Sequence, residues 1–193
     1  MLVFVAALLT LTAQDSVAAG AVQRGRVSYN ARATLGDFTG ATDSVRGAMT
    51  GAGADLAAVR GWVEVPVATL GSGNGKRDRD MRKSMETDRY PTMRFELTGV
   101  RVDSARGTTT WAALAGRLTI HGVTREVRLP AQVSGSGAEY RVMSDFPLNV
   151  KDYGVGGLSK MLGLLKMNER IVVRVDVVFA VAGATDSSAS PMR

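Results

Sequence analysis

The stretch from Trp111 to Val133, WAALAGRLTIHGVTREVRLPAQV, limits the choice of fold more than any other in the chain. Before its centre, Ala112, Leu114, Leu118 and Ile120 share one parity, and Arg117 and Thr119 take the other. After it, Val127, Leu129, Ala131 and Val133 alternate with Glu126, Arg128 and Gln132. Strand side chains change face at every residue, so each half reads as a strand with one apolar and one wet face. His121-Gly122 joins the halves, and its glycine is free to take positive φ, which predicts an antiparallel hairpin. The apolar face has to be covered by something.

The same period recurs along the chain. In Arg26 to Leu35, Val27, Tyr29, Ala31, Ala33 and Leu35 alternate with polar residues. A second strand is expected from Thr39 to Met49, with Gly40 and Gly47 marking bulges or close packing. Thr50 to Arg60 reads as a loop with one helical turn at Asp55 to Val59. Gly61 to Ala68 sets Val63, Val65 and Val67 against Trp62 and Glu64, and Pro66 favours an edge or a bulge. Thr92 to Thr98 turns Met93, Phe95 and Leu97 one way, and Glu139 to Val150 does so with Tyr140, Val142, Phe146 and Leu148. The last strand, Arg170 to Val181, carries Ile171, Val173, Val175, Val177 and Phe179 on one parity.

Two stretches break the period. After the flexible joint Gly71-Ser-Gly-Asn-Gly75, residues 76–88 have helix-forming composition, with Met81 and Met85 one turn apart on a charged surface. They predict a short amphipathic helix, which Tyr90-Pro91 stops. Residues 151–168 hold Leu158, Met161, Leu162, Leu164 and Leu165 among glycines, an insertion read as a loop with a short apolar helix. About eight strands without alternating helices make an all-β chain, and eight antiparallel strands can cover their apolar face by closing into a barrel. Inward residues that are mostly Val, Ala, Gly and Leu favour a lumen with room for a ligand over a filled one.

The ends and the charge bear on where such a barrel works. Residues 1–19 join an apolar run, Leu2 to Leu11, to small residues suited to cleavage after Ala19, the shape of a secretory signal too short to span a bilayer. No basic residue precedes that run, so the natural start is expected upstream. The domain is then 20–181, periplasmic after export, with 182–193 a disordered tail. Basic residues number 24 against 18 acidic, for a net charge of +6 and a pI near 10.1. Such a balance suits an anionic partner or simply keeps a secreted protein soluble, and an exported protein meets an anionic membrane surface before nucleic acid. The absence of cysteine excludes disulfides, a lipid-modified cysteine and thiolate metal sites.

Four stretches together resemble the YceI-like family of periplasmic lipid-binding (polyisoprenoid-binding) proteins, over roughly residues 25–179. SGNGKRDRDMRKSMETDRYPTMRFEL resembles the family's loop, charged helix and Tyr-Pro-x-x-x-Phe strand, and LAGRLTIHGVTREVRL its Gly-x-Leu-Thr-x-His-Gly-Val-Thr hairpin. FPLNVKDYG resembles the segment after the late strand, and Gly163 to Phe179 the terminal strand with its preceding loop. The resemblance implies a lipocalin-like barrel enclosing an apolar pocket for a long-chain isoprenoid, a quinone or a similar amphiphile. Asp80 stands where many members have histidine, and Gly156-Gly157 where a subgroup has prolines.

Val65, Met93, Phe95, Leu114, Leu118, Leu129, Phe146 and Val175 are expected to line the lumen. Met81, Met85, Met161 and Leu162 would form a flexible lid over an apolar tail, or else pack two insertions against the barrel end. Arg77, Asp78 and Asp80 are candidates for contact with a polar headgroup, against the alternative of a solvated helix face with weak local ion pairs. Asp78 and Asp80 make a poor catalytic pair, because residues two apart on a helix do not share a face. His121, the single histidine, is expected to serve the turn rather than catalysis, having no evident Ser or Cys partner. No metal, no cofactor and no nucleic-acid partner are expected, and the chain is read as a monomer or homodimer. The expectation is a non-catalytic carrier. The alternatives are a secreted lipid-modifying enzyme, a packed scaffold for protein contacts, and an outer-membrane barrel, against which 6% aromatic content argues.

Overall fold

The computed structural model describes residues 18–34, 36–52, 56–156, 159–160 and 165–182. Its strands are β1 (Ala18–Ala33), β2 (Phe38–Thr42), β3 (Arg46–Ala52), β4 (Arg60–Pro66), β5 (Thr92–Arg106), β6 (Thr109–Ile120), β7 (Val123–Ser136), β8 (Glu139–Asn149), β9 (Ser159–Lys160) and β10 (Leu165–Ala182). The helix α1 (Gly75–Ser84) lies between β4 and β5. Strands β1, β3, β4, β5, β6, β7, β8 and β10 pair in that order, all antiparallel, and β10 returns to β1 from Ala19↔Ala182 to Ala33↔Met167. The result is a closed eight-stranded antiparallel barrel with two short appendages, β2 on β1 and β9 on β10. Closure leaves each apolar face looking inward at the others.

The expected second strand is parted in two. β2 and β3 keep a single register against β1, from Val27↔Thr42 to Ala21↔Ala48, but Asp43 to Val45 between them is not strand. Thr42 Oγ1 accepts from the Ser44 amide at 3.0 Å, a local bond that competes with the ladder. Beyond the break β2 leaves β4 and meets Gly71 through the Ala41 bridge. The helix is also shorter than the expected 76–88, since Glu86 at φ 45° departs from helical geometry and a turn carries the chain to Tyr90. Residues 165–168, expected in the apolar insertion, belong to β10, and the described start of that insertion is a 3-10 turn at Val150–Tyr153.

One end of the barrel carries α1, the β1–β2 turn, the His121-Gly122 turn and Val150–Tyr153. Buried Val67, Met85, Ile120, Val150, Tyr153, Val155 and Ile171 close much of it. The other end carries the 3-10 turn Leu56–Ala58 and the turns joining β5 to β6 and β7 to β8.

Outside, charges face each other along and across strands. Arg94 reaches Glu64 at 3.4 Å and Glu96 at 3.3 Å, Arg117 reaches Glu96 at 2.8 Å, and the Arg94 guanidinium lies 4.2 Å from the Trp62 ring centre. Arg141 holds Asp176 through two bonds of 2.8 and 2.5 Å, which keep that carboxyl below the ordinary carboxylate range while burial opposes them. A carboxyl with a lowered folded pKa contributes its full stability above the ordinary value of 3.8, and loses it as pH falls through the folded value. Asp176→Asn is therefore expected to cost about 0.2–1 kcal/mol at neutral pH, the range for exposed pairs. The difference from the parent should shrink towards zero in acid, as read from urea midpoints at the two pH values.

Candidate functional site

Inside the barrel runs a cavity of about 670 Å³, lined almost entirely by apolar side chains. Val65 of β4, Met93 and Phe95 of β5, Leu114 and Leu118 of β6, Leu129 of β7, Phe146 of β8 and Val175 of β10 all line it. Their registers explain the convergence: Val65 pairs with Met93, Phe95 with Leu118 and Leu114 with Leu129, so inward parity passes from strand to strand. Further lining residues were not singled out from the sequence, among them Tyr29, Phe38, Leu97, Val100, Ile171 and Phe179. Tyr29 and Phe38 meet edge to face, with ring centres 6.2 Å apart, at the α1 end.

The cavity reaches the surface beside α1. Exposed Thr34 and Gly36 of the β1–β2 turn line it on one side, and exposed Asn74 and Lys76 on the other. Asn74 caps the helix, its side-chain oxygen accepting from the Lys76 and Arg77 amides at 3.1 Å each. Asp78 folds back on the joint, accepting from the Ser72 amide at 3.0 Å and hydroxyl at 2.5 Å. Arg77 donates to the Ser72 hydroxyl at 2.7 Å and carbonyl at 3.0 Å, with its guanidinium 4.2 Å from the Phe38 ring centre. Of the three headgroup candidates, Arg77 and Asp80 line the mouth and Asp78 does not. Met81 and Met85 lie on the cavity side of α1, while Met161 and Leu162 fall outside the described residues.

Polar groups are few within. Ser144, buried, donates to the Pro130 carbonyl at 2.6 Å. Burial raises the Tyr29 hydroxyl pKa, with the Asp78 charge adding to the effect and Arg77 opposing it. Among the described residues no group of three or more His, Asp or Glu side chains is placed to hold a metal ion.

His121 stands apart from the cavity. It occupies the left-handed region at φ 51°, with Gly122 beside it at φ 73°. Its Nε2 lies 3.3 Å from Glu86 Oε1, its Nδ1 3.3 Å from the Tyr153 carbonyl, and its ring centre 4.6 Å from that of Tyr90. The side chain thus ties the segment after α1 to the Val150–Tyr153 turn. Both His121→Ala and His121→Gly should lower stability by removing these contacts. The alanine variant is expected to be the worse by about 1 kcal/mol in urea titrations, because alanine retains the left-handed strain and glycine does not.

The YceI-like domain matches residues 17–179, which is most of the chain and the whole of the cavity wall. The chain belongs to the YceI-like family. A UPF0312 protein of Azotobacter vinelandii is 28% identical over 124 residues, covering 60% of this chain and 61% of that one. One of Pseudomonas savastanoi pv. phaseolicola is 30% identical over 103 residues, covering 49% and 52%. This YceI-like chain therefore spans between half and two thirds of the length of these relatives. Burkholderia cenocepacia BcnA superposes with a TM-score of 0.68 at 18% identity, over 80% of this chain and 95% of that one. A polyisoprenoid binding domain from Saccharophagus degradans, described as implicated in plant cell wall breakdown, gives 0.67 at 17%, over 85% and 98%. At such identities the YceI-like likeness is one of fold.

Proposed function

We propose that this protein is a non-catalytic carrier that holds the chain of a polyisoprenoid, a quinone or a similar long-chain amphiphile in the barrel lumen. The observation that carries the reading is the apolar cavity with a polar mouth beside α1. A volume of about 670 Å³ lies within the usual range for ligand pockets, about 300–1,000 Å³. At the ~30 Å³ that a water-sized group occupies in a liquid, it takes on the order of 20 such groups, or about four isoprene units. Each buried CH₂ contributes roughly 0.8 kcal/mol, so such a tail binds without an elaborate polar site. The Saccharophagus degradans domain, named for polyisoprenoid binding, supports the same ligand class. Val65, Met93, Phe95, Leu114, Leu118, Leu129, Phe146 and Val175 are the proposed tail contacts, with Met81 and Met85 over them and Arg77 and Asp80 near the head.

The proposed location is the periplasm, reached through an amino-terminal signal. Cleavage after Ala19 would trim only the first two residues of β1 and leave Gly20–Ala33 to close the barrel. The test is native mass spectrometry of protein purified from a bacterial envelope, followed by organic extraction. A stoichiometric isoprenoid or quinone is the expected result. Bare protein that also refuses added polyprenyl and fatty-chain probes would overturn the carrier reading in favour of a packed scaffold.

A further inference from the structure

Helix α1 contains Lys76, Arg77, Arg79, Arg82 and Lys83 against only Asp78 and Asp80. Its two sides differ. Arg77, Asp80, Met81, Ser84 and Met85 line the cavity, whereas Arg79 and Lys83, one turn apart, are exposed on the other side. On the barrel wall Arg26, Arg94, Arg117, Arg141 and Arg174 each face a carboxylate. Arg79 and Lys83 form no ion pair with any described residue. A basic ridge with no acidic partner among the described residues thus lies on the back of the element whose front forms the cavity mouth.

From this arrangement we infer that the outer face of α1 docks the protein on an anionic lipid bilayer, mouth towards the membrane. The inference rests on the carrier reading above, because a lumen that exchanges long apolar chains needs its opening held against the surface that stores them. The chemistry is that of juxtamembrane basic clusters. Lysine and arginine side chains near an anionic leaflet are attracted to its headgroups, and the attraction is screened by salt within a Debye length. The partner is therefore a bilayer rich in anionic phospholipid. Arg77, whose guanidinium is engaged by Ser72 and Phe38, stays with the rim and keeps the mouth shaped while the exposed ridge makes the contact.

The test uses the full protein in flotation assays with vesicles of pure phosphatidylglycerol and of pure phosphatidylcholine. The double variant Arg79→Glu, Lys83→Glu reverses the ridge. A control, Arg106→Glu with Arg128→Glu, changes net charge equally at exposed positions away from α1. The expected result is binding of the parent to phosphatidylglycerol alone, a loss of about tenfold or more in the ridge variant, and a far smaller loss in the control. Uptake of a soluble fatty-chain probe should be unchanged in the ridge variant, since neither residue lines the lumen. Equal losses in both variants, or no binding by the parent, would overturn the docking surface. If probe uptake fails in every protein while ridge-dependent flotation persists, the carrier reading falls and the docking surface stands.

Discussion

Leu118→Arg is expected to lower uptake of a polyprenyl or fatty-chain probe by on the order of a hundredfold or more. Leu118 is only 8% exposed, packs in the buried core cluster and lines the cavity opposite Phe95. An arginine there brings a charge into a space lined almost entirely by apolar side chains. The cost of desolvating an unpaired charge is several kcal/mol, and each 1.4 kcal/mol is tenfold in affinity. The readout is a fluorescence titration with the labelled probe, made after circular dichroism has shown a native sheet signal. Leu118→Met conserves volume and should cost less than about 1.5 kcal/mol, leaving uptake near the parent's. A folded arginine variant that binds as well as the parent would show that the tail does not occupy this part of the lumen.

Gly116→Ala should destabilise the barrel wall. Glycine in a strand interior ordinarily weakens it, so adding a methyl group would be expected to help by about 0.5–1 kcal/mol. Here the sign reverses. A Cβ at Gly116 would stand 2.5 Å from the edge of the Phe95 ring and would also crowd the Glu96 carbonyl oxygen. The ring can turn aside, but the carbonyl belongs to the β5 backbone that pairs with β6. Overpacking of this kind costs about 1–3 kcal/mol, visible as a lower urea midpoint with an unchanged slope. In a Phe95→Ala background, which is itself destabilised, the added cost of Gly116→Ala should shrink but not vanish in a double-mutant cycle, since the truncation relieves the ring and not the carbonyl.

The eight lumen candidates were legible because each lies on a strand whose alternation is unbroken on either side. Val100 was hidden by geometry. Strand β5 changes register between Leu97 and Gly99 and again between Val102 and Ser104, so inward parity skips a residue and the stretch after Thr98 no longer reads as a strand. The whole second half of β5 departs from simple alternation for the same reason. Tyr29 lay on a legible strand, but its place at the mouth depends on Phe38 and Arg77, which reach it from other elements. Nothing in local pattern announces such a meeting. The break between β2 and β3 was equally silent, since a hydroxyl bonding to the second amide along leaves alternation intact on both sides. Composition did indicate the helix, and Asn74, which caps it, stood in the stretch read as a flexible joint.

The seam that closes the barrel joins the first strand to the last. Every other neighbouring pair in the wall lies close in sequence, whereas β1 and β10 are separated by nearly the entire domain. Contacts of such long separation are slow to form, because the loop entropy must be overcome before they stabilise anything. A chain emerging amino terminus first therefore keeps β1 waiting, and its cylinder cannot shut until the carboxyl-terminal strand arrives. Folding to completion is thus tied to delivery of the whole polypeptide into one compartment. A prematurely truncated chain would present the edges of β1 and β8 to other molecules as sites for strand addition.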